Sequence, residues 1–359
     1  MSSLIREDIL KIQAYIGGKP IDAVKRELGL KNIIKLASNE NPCGCSKKVI
    51  KAIKDNLLII NRYPDGSCFY LKKALAKFLN INENLLLFGN GSDEIIDIII
   101  KTFVSPNEEI ITSDITFLEY KISSQANGRI IKTVPLKNYK YDLEAILNIV
   151  NERTKLIFIA NPNNPTGTYL NRAEIKDFLK RLNKNIIVIF DEAYFEYIDV
   201  KDFPESLEYL NENVIILRTF SKIYGLAGLR VGFCIAKPEF IEVFNRVRQP
   251  FNVNVLAQVA ACAALEDQGF VKKSRLVVLE GKEYLYCKFK QLNLEYIPST
   301  ANFILLKLQS SGKELCDKLL KEGIIIRDMD QYGLKNFVRV TIGKEKENKI
   351  FIKKLKEFI

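Results

Sequence analysis

Between about residues 90 and 236, short runs of consecutive apolar residues alternate with helix-length amphipathic segments. No other feature of the chain limits its fold so strongly. The runs are Glu109–Ser113, Ile130–Val134, Leu156–Ala160, Ile186–Phe190, Val214–Arg218 and Val231–Ala236. Helical patterns lie near Ser92–Val104, Thr116–Ala126, Leu143–Val150 and Arg172–Leu182. A run such as Ile186 to Phe190 offers water no polar side, so it reads as a strand buried on both faces. Alternation of such strands with helices predicts an α/β fold with a mostly parallel central sheet covered by helices. The last third differs. Long helical patterns at Asn254–Gln268 and Val271–Leu292 precede strands at Asn302–Leu308, Ile324–Arg327 and Phe337–Ile342, with helices near Lys313–Lys321 and Lys346–Phe358. The expected organisation is an N-terminal arm with part of a small domain (1–44), a large α/β domain (45–256) and a small C-terminal α+β domain (257–359). The 359 residues suit two domains of roughly 100–200 each.

Composition then narrows the chemistry. The chain has no histidine, which excludes Ser-His-Asp and Cys-His nucleophile pairs, His-ligated zinc and an HExxH helix. An enzyme built from it moves protons through Lys, Asp, Glu, Tyr or Cys. Lys and Arg number 54 against 43 Asp and Glu, a net charge of +11. The lysines fall in scattered pairs with acids nearby, which reads as a solvated surface that also suits an anionic substrate. A nucleic-acid-binding regulator would need a further helix-turn-helix domain, for which the arm is too short, so no nucleic-acid partner is expected. The seven cysteines form no disulfide or zinc framework, and no metal site is expected. The start lacks a long apolar leader, and no run approaches the ~20 apolar residues of a membrane span. A cytoplasmic protein without a membrane partner is the expectation.

In a parallel sheet, ligands gather beyond the carboxyl ends of the strands, and four loops there carry unusual residues. Asn161-Pro162-Asn163-Asn164-Pro165-Thr166-Gly167 is a rigid turn with side-chain amides to offer. Asp191-Glu192-Ala193-Tyr194 puts a carboxylate at a buried strand end, costly unless it meets a cation. Thr219-Phe220-Ser221-Lys222, followed by Gly225, Gly228 and Arg230, places a hydroxyl, an amine and a guanidinium at the sheet's lip. Gly89-Asn90-Gly91-Ser92-Asp93-Glu94 opens a helix whose free N–H groups suit a phosphate. Alone, each has a plainer reading: a turn, a helix cap, a tight connection. The glycines there lack the full G-x-G-x-x-G pattern and follow no strong strand, which argues against a dinucleotide site. Together, a lysine for a Schiff base, a carboxylate for a pyridinium nitrogen and a phosphate cup are what pyridoxal phosphate needs.

These motifs bring a resemblance with them. The chain resembles the fold-type I, class II pyridoxal-phosphate aminotransferases and, within them, the histidinol-phosphate aminotransferase branch. The likeness covers nearly its whole length: SNENP at Ser38–Pro42, RYPD at Arg62–Asp65, GNGSDE at Gly89–Glu94, NPNNPTG at Asn161–Gly167, DEAY at Asp191–Tyr194 and TFSKIYGLAGLRVG at Thr219–Gly232. It continues through RQPFNVN at Arg248–Asn254, ANF at Ala301–Phe303, GIIIRD at Gly323–Asp328 and VRVTIG at Val338–Gly343. The Asp-x-x-Tyr and Ser-Lys motifs are shared by many aminotransferases; the RYPD, PFNVN and IIIRD elements are more particular to this branch.

The resemblance implies transfer of an amino group between histidinol phosphate and 2-oxoglutarate, a step of histidine biosynthesis. It makes Lys222 the lysine that carries the cofactor and moves the proton, Asp191 the partner of the ring nitrogen, and Tyr194 and Asn164 the partners of the ring's 3′-oxygen. Phe117 matches the aromatic that stacks on the ring, against the plainer reading of a core phenylalanine. Gly91, Ser92, Asp93, Ser221 and Arg230 would bind the cofactor phosphate, and Tyr63 would reach it from the neighbouring subunit of a homodimer. Arg339 would take the substrate carboxylate or, with Arg327, the substrate phosphate; Tyr15 and Asn39 would lie at the substrate end. For Arg327 a surface arginine ending a strand is the plainer reading. The sequence departs from the common pattern at Ala14, where Pro is usual before Tyr15, at Ile115-Thr116-Phe117, which replaces Pro-x-Tyr and removes a hydroxyl, and at Asn161. An aromatic amino-acid aminotransferase, and a decarboxylase of a phosphorylated amino acid, remain alternatives, because Lys222 would serve all three.

Overall fold

The computed structural model describes residues 4–359. Residues 1–3 of the N-terminal arm lie outside the described residues. After helices Glu7–Leu10 and Ile21–Leu28 comes a two-residue strand, β1 (Ile34–Lys35). Strands β2 (Leu86–Gly89), β3 (Glu109–Ser113), β4 (Ile130–Val134), β5 (Thr154–Ala160), β6 (Ile187–Asp191), β7 (Val214–Thr219) and β8 (Gly232–Ile235) build one sheet. Its seven strands run in the order β2-β8-β7-β6-β5-β3-β4. The β4-β3-β5-β6-β7 block is parallel, and β8 runs antiparallel to both of its neighbours. The mostly parallel sheet read from the apolar runs is therefore present.

Strands β6 and β7 are buried at every residue, as expected of strands with helices on both faces. Only β4, at the sheet edge, is partly exposed along its length. The covering helices start where the local chemistry directs them. Asn171 and Glu174 form a reciprocal capping box at the start of helix Arg172–Arg181. The Asp142, Asn254 and Asp267 side chains each accept a backbone N–H at the helix that follows them. Helix Gly91–Phe103 buries Ile95, Ile96, Ile98, Ile99 and Ile100 against the sheet.

Beyond helix Gln268–Gln291 lie β9 (Tyr296–Ile297), β10 (Phe303–Lys307), β11 (Ile324–Ile325), β12 (Arg327–Asp328) and β13 (Phe337–Thr341). Four of them form an antiparallel sheet in the order β12-β13-β10-β9. The fifth, β11, pairs in parallel with β1, so the N-terminal segment is tied to C-terminal structure.

Two readings of the sequence are corrected. A strand does precede Gly89: β2 is buried at all its residues and pairs with β8. Four residues are too few to show a period, so pairing rather than pattern reveals it. The single strand expected at Ile324–Arg327 is two, because the chain leaves β1 after Ile325 and joins β13 at Arg327.

Helix Gln268–Gln291 crosses helix Glu345–Phe358 at Gly281, where a Cβ would lie 2.6 Å from Ile342 Cγ2 and 2.8 Å from Asn348 Nδ2. Gly281→Ala is therefore expected to destabilise the protein by about 1–3 kcal/mol through overpacking, although alanine is the better helix former. Gly269→Ala, where the nearest atom is 3.6 Å away, should leave the thermal unfolding midpoint close to the parent's; calorimetry of the two variants checks the pair.

Candidate active site

The strand pairing sets three carboxyl ends side by side: Ala160 of β5 pairs with Asp191 of β6, which pairs with Leu217 of β7. The loops leaving these ends, the first turn of helix Gly91–Phe103 and strand β13 enclose a cavity of about 230 Å³. Tyr15, Asn39, Ser92, Asp93, Phe117, Asn164, Asp191, Tyr194, Ser221, Lys222, Arg230 and Arg339 all line it. Gly91, Tyr63 and Arg327 stand outside the lining.

Asp191 and Lys222 lie at the centre. Burial pushes the Asp191 carboxyl up to about 6, against the pull of a hydrogen bond from Tyr120 and of the Ala193 N–H. Burial first, and then the Arg339 charge, push the Lys222 amine down to about 8. The amine lies 5.6 Å from the Tyr194 ring centroid. A carboxylate and an amine shifted this way are primed, one to pair with a cation and the other to act as a neutral nucleophile. Beneath them Glu192 and Arg218 form a fully buried ion pair at 2.8 Å, with Ser206 donating to Glu192 and the Phe195 ring stacked on the guanidinium. This pair ties the turn after β6 to β7, one residue from Asp191.

The far wall comes from the small sheet. Asn39, at φ +56°, donates from Nδ2 to the Tyr194 hydroxyl at 2.9 Å, and its Oδ1 accepts from Thr341 at 3.0 Å. Asn302 donates to the Asn39 carbonyl at 3.0 Å. The strained left-handed backbone of Asn39 is therefore held by bonds on both sides. The Arg339 guanidinium donates to the Asn164 side-chain oxygen and to the Ala37 carbonyl, and its buried Nε has no hydrogen-bond partner among the described residues. Arg327 sits opposite Arg339 across the β12–β13 pairing, donates to Gln331 at 3.1 Å and lies 5.4 Å from the Tyr15 ring centroid. It is buried, not a surface arginine. Phe117 precedes helix Glu119–Ala126, packs against the main core and lines the cavity, so both readings of it keep a structural basis.

At the other end the structure offers an anion cup. Gly91 has φ +79°, and a Cβ there would run into the Arg230 guanidinium; a Cβ on Gly232 would lie 2.7 Å from the Ser92 N–H nitrogen. The two glycines let a helix start, a strand and an arginine converge within atomic contact. The helix's N-cap residue, Asn90, makes no side-chain cap bond, so the first-turn N–H groups have no side-chain cap from it, and Ser92 and Asp93 of that turn line the cavity. Arg230 meanwhile pairs with the Asp93 carboxylate at 2.8 Å. A buried amine, a carboxylate, a phenol, an amide and this cup form a donor set that fits pyridoxal phosphate.

Sequence reasoning missed Glu119 and Tyr120. Glu119 lines the cavity, with burial and the nearby Asp93 and Asp97 carboxylates pushing it up to about 7. Tyr120 stands in the first turn of helix Glu119–Ala126, where nothing in the local sequence marks it.

Comparison with known proteins agrees with this geometry. The model of the family "Aminotransferase class I and II" matches residues 31–355. The chain is 49% identical over 358 residues to the histidinol-phosphate aminotransferase of Moorella thermoacetica, covering 99% of this chain and 92% of that one. It is 47% identical to the protein of that name from Caldicellulosiruptor saccharolyticus, covering 99% and 100%. Among solved structures it is similar to histidinol-phosphate aminotransferase from Sinorhizobium meliloti in complex with pyridoxal-5′-phosphate, with a TM-score of 0.91, 25% identity and coverage of 100% and 99%. With its fold, its strand-end lysine and aspartate and a family match across most of its length, this chain belongs to the class I and II aminotransferases.

Proposed function

We propose that this chain is a pyridoxal-5′-phosphate-dependent histidinol-phosphate aminotransferase, exchanging an amino group between histidinol phosphate and 2-oxoglutarate in histidine biosynthesis. The observation that carries the reading is the meeting, in one buried cavity, of Lys222, Asp191 and Arg339 in a chain 49% identical to an enzyme of that name. The cofactor, when bound, supplies the electron sink that lets a proton leave the substrate carbon.

The protein supplies the rest. Lys222 Nζ would hold the cofactor, and as a neutral amine it would accept the substrate proton and return it; its depressed basicity keeps the neutral form accessible near neutral pH. Asp191 holds the proton on the ring nitrogen. Tyr194, fixed by Asn39, and the Asn164 amide hold the ring's 3′-oxygen. Phe117, in the cavity lining, would cover a face of the ring. Gly91, Ser92 and Asp93, through their backbone N–H groups, with Ser221 and Arg230, hold the phosphate. Arg339 offers a planar fork for glutamate's carboxylate, and Arg327 beside it adds a second charge for the substrate phosphate, with Tyr15 and Asn39 at the same end. Two buried arginines on adjacent strands support a doubly charged group there.

The same reading makes the enzyme a homodimer. Tyr63 is 83% exposed and stacks on the half-exposed Phe251, beside the exposed run Leu57–Ile60. A second copy covering this apolar face would let Tyr63 reach the neighbouring phosphate cup. It also keeps the domain division at 45 and 257: the seven-stranded sheet lies within the first part and the antiparallel sheet within the second. Among the described residues no helix is long and apolar enough to cross a membrane. The reading keeps the cytoplasm as the compartment, with all seven cysteines present as free thiols.

Lys222→Ala is expected to abolish the cofactor's visible absorbance band and to lower turnover by several orders of magnitude; retained absorbance and turnover would overturn the scheme. In single-turnover mixing, histidinol phosphate should bleach that band faster than phenylalanine or tyrosine. Preference for either aromatic amino acid would instead assign an aromatic aminotransferase. Shared sites make a third expectation. Mixing subunits carrying Tyr63→Ala with subunits carrying Lys222→Ala should recover up to about a quarter of parent activity, because each mixed dimer regains one intact site. No recovery after verified subunit exchange would place Tyr63 outside the neighbour's site.

A further inference from the structure

Asp191 is a carboxylate buried to 5% exposure, yet its proposed role requires it to stay an anion in one orientation. The groups that face it are few. Ala193 N–H approaches Oδ1 at 3.2 Å. Asp93 on helix Gly91–Phe103 acts against the anion, and Lys222 acts for it from across the cavity. Tyr194 and Tyr141 are neutral phenols nearby, both pushed to about 12 by burial. The short, direct contact is the Tyr120 hydroxyl, which donates to Oδ2 at 2.6 Å.

Tyr120 is itself immobilised. It is fully buried, its ring stacks on Phe158 at 4.7 Å and 12°, and its edge meets the Phe117 ring at 5.6 Å and 89°. Burial and the Asp191 charge raise its own ionisation well above the ordinary phenol value. A phenol raised in this way stays protonated, and so a donor, around neutral pH.

We infer that Tyr120 is the positioning residue for Asp191: its phenol locks the carboxylate in one orientation and stabilises the anion, leaving Oδ1 for the ring nitrogen. This rests on the reading of Asp191 as that nitrogen's partner. One side chain thus joins the two contacts the ring would receive, the stacking Phe117 and the carboxylate. A hydrogen bond to the charged form lowers a carboxyl's pKa, so removing it raises the pKa. Loss of the phenol should then move the onset of acid failure toward neutral pH.

The test uses purified holoenzyme and its Tyr120→Phe variant, which keeps the stacked ring. Both are dialysed over a pH series, and retained cofactor is read from its visible absorbance, with thermal unfolding measured alongside. The acid midpoint for cofactor loss should rise by roughly one pH unit in the variant, and kcat should fall while KM stays nearly constant. An unchanged midpoint overturns the inference, whatever happens to stability. Tyr120→His is the second variant. Because the chain contains no histidine, the introduced imidazole gives an isolated NMR signal. Bonded to the Asp191 anion, it should titrate above the ordinary value of about 6.5 and bring the acid midpoint back toward the parent's. Titration at the ordinary value, with the midpoint left at that of Tyr120→Phe, would also overturn it. Asp191→Asn distinguishes a failure of the Asp191 role from a failure of the Tyr120 role. If that variant keeps parent cofactor binding and turnover, the reading of Asp191 fails. If it is impaired and Tyr120→Phe is not, the role of Tyr120 alone fails.

Discussion

A buried carboxylate and a buried amine stand at the carboxyl ends of adjacent strands, and much of the surrounding structure exists to make that tolerable. Water would stabilise both charges; the apolar interior does not, which is why Asp191 is pushed up to about 6 and Lys222 down to about 8. The protein answers the carboxylate locally, with the Tyr120 phenol and the Ala193 N–H. The buried Glu192–Arg218 pair, immediately beneath, holds the two strand ends in register. Such a pair adds little net stability, but removing one partner would strand a buried charge and loosen the turn that carries Asp191.

The second constraint is that the two sheets must meet at the cavity. Asn39 forms the joint. It bonds Tyr194 on the large sheet's side and Thr341 on β13, and its carbonyl accepts from Asn302. Arg339, two residues before Thr341, reaches Asn164 in the turn after β5. A shift of the small sheet would therefore move the proposed anion site and the Tyr194 hydroxyl together, which is how substrate binding at one end would be felt at the ring.

Much of this was legible in the residues, for identifiable reasons. Short apolar runs such as Ile186 to Phe190, alternating with helical patterns, read as buried strands, and Asp191 and Lys222 stand out because polar groups at or just beyond strand ends need a purpose. Legibility stopped where a feature depends on a partner far along the chain. Strand β2 is too short to show a pattern and exists because β8 pairs with it. The break between Ile325 and Arg327 reflects a change of neighbour, invisible locally. Glu119 and Tyr120 read as ordinary positions of an amphipathic helix. Their significance comes from what faces them: Asp93 in one case, Asp191, 71 residues away, in the other.

The sequence by itself determined the layered α/β architecture, the chemistry available without histidine, and the lysine, aspartate, tyrosine and arginines that carry the proposed function. Residue type and hydrophobic period are local properties, so they can be read locally. Only the tertiary structure decided which of these residues share one cavity, how far burial shifts their protons, and that Tyr120 rather than any strand-end residue holds Asp191. Desolvation and hydrogen-bond geometry depend on distance in space, and the fold alone sets that distance.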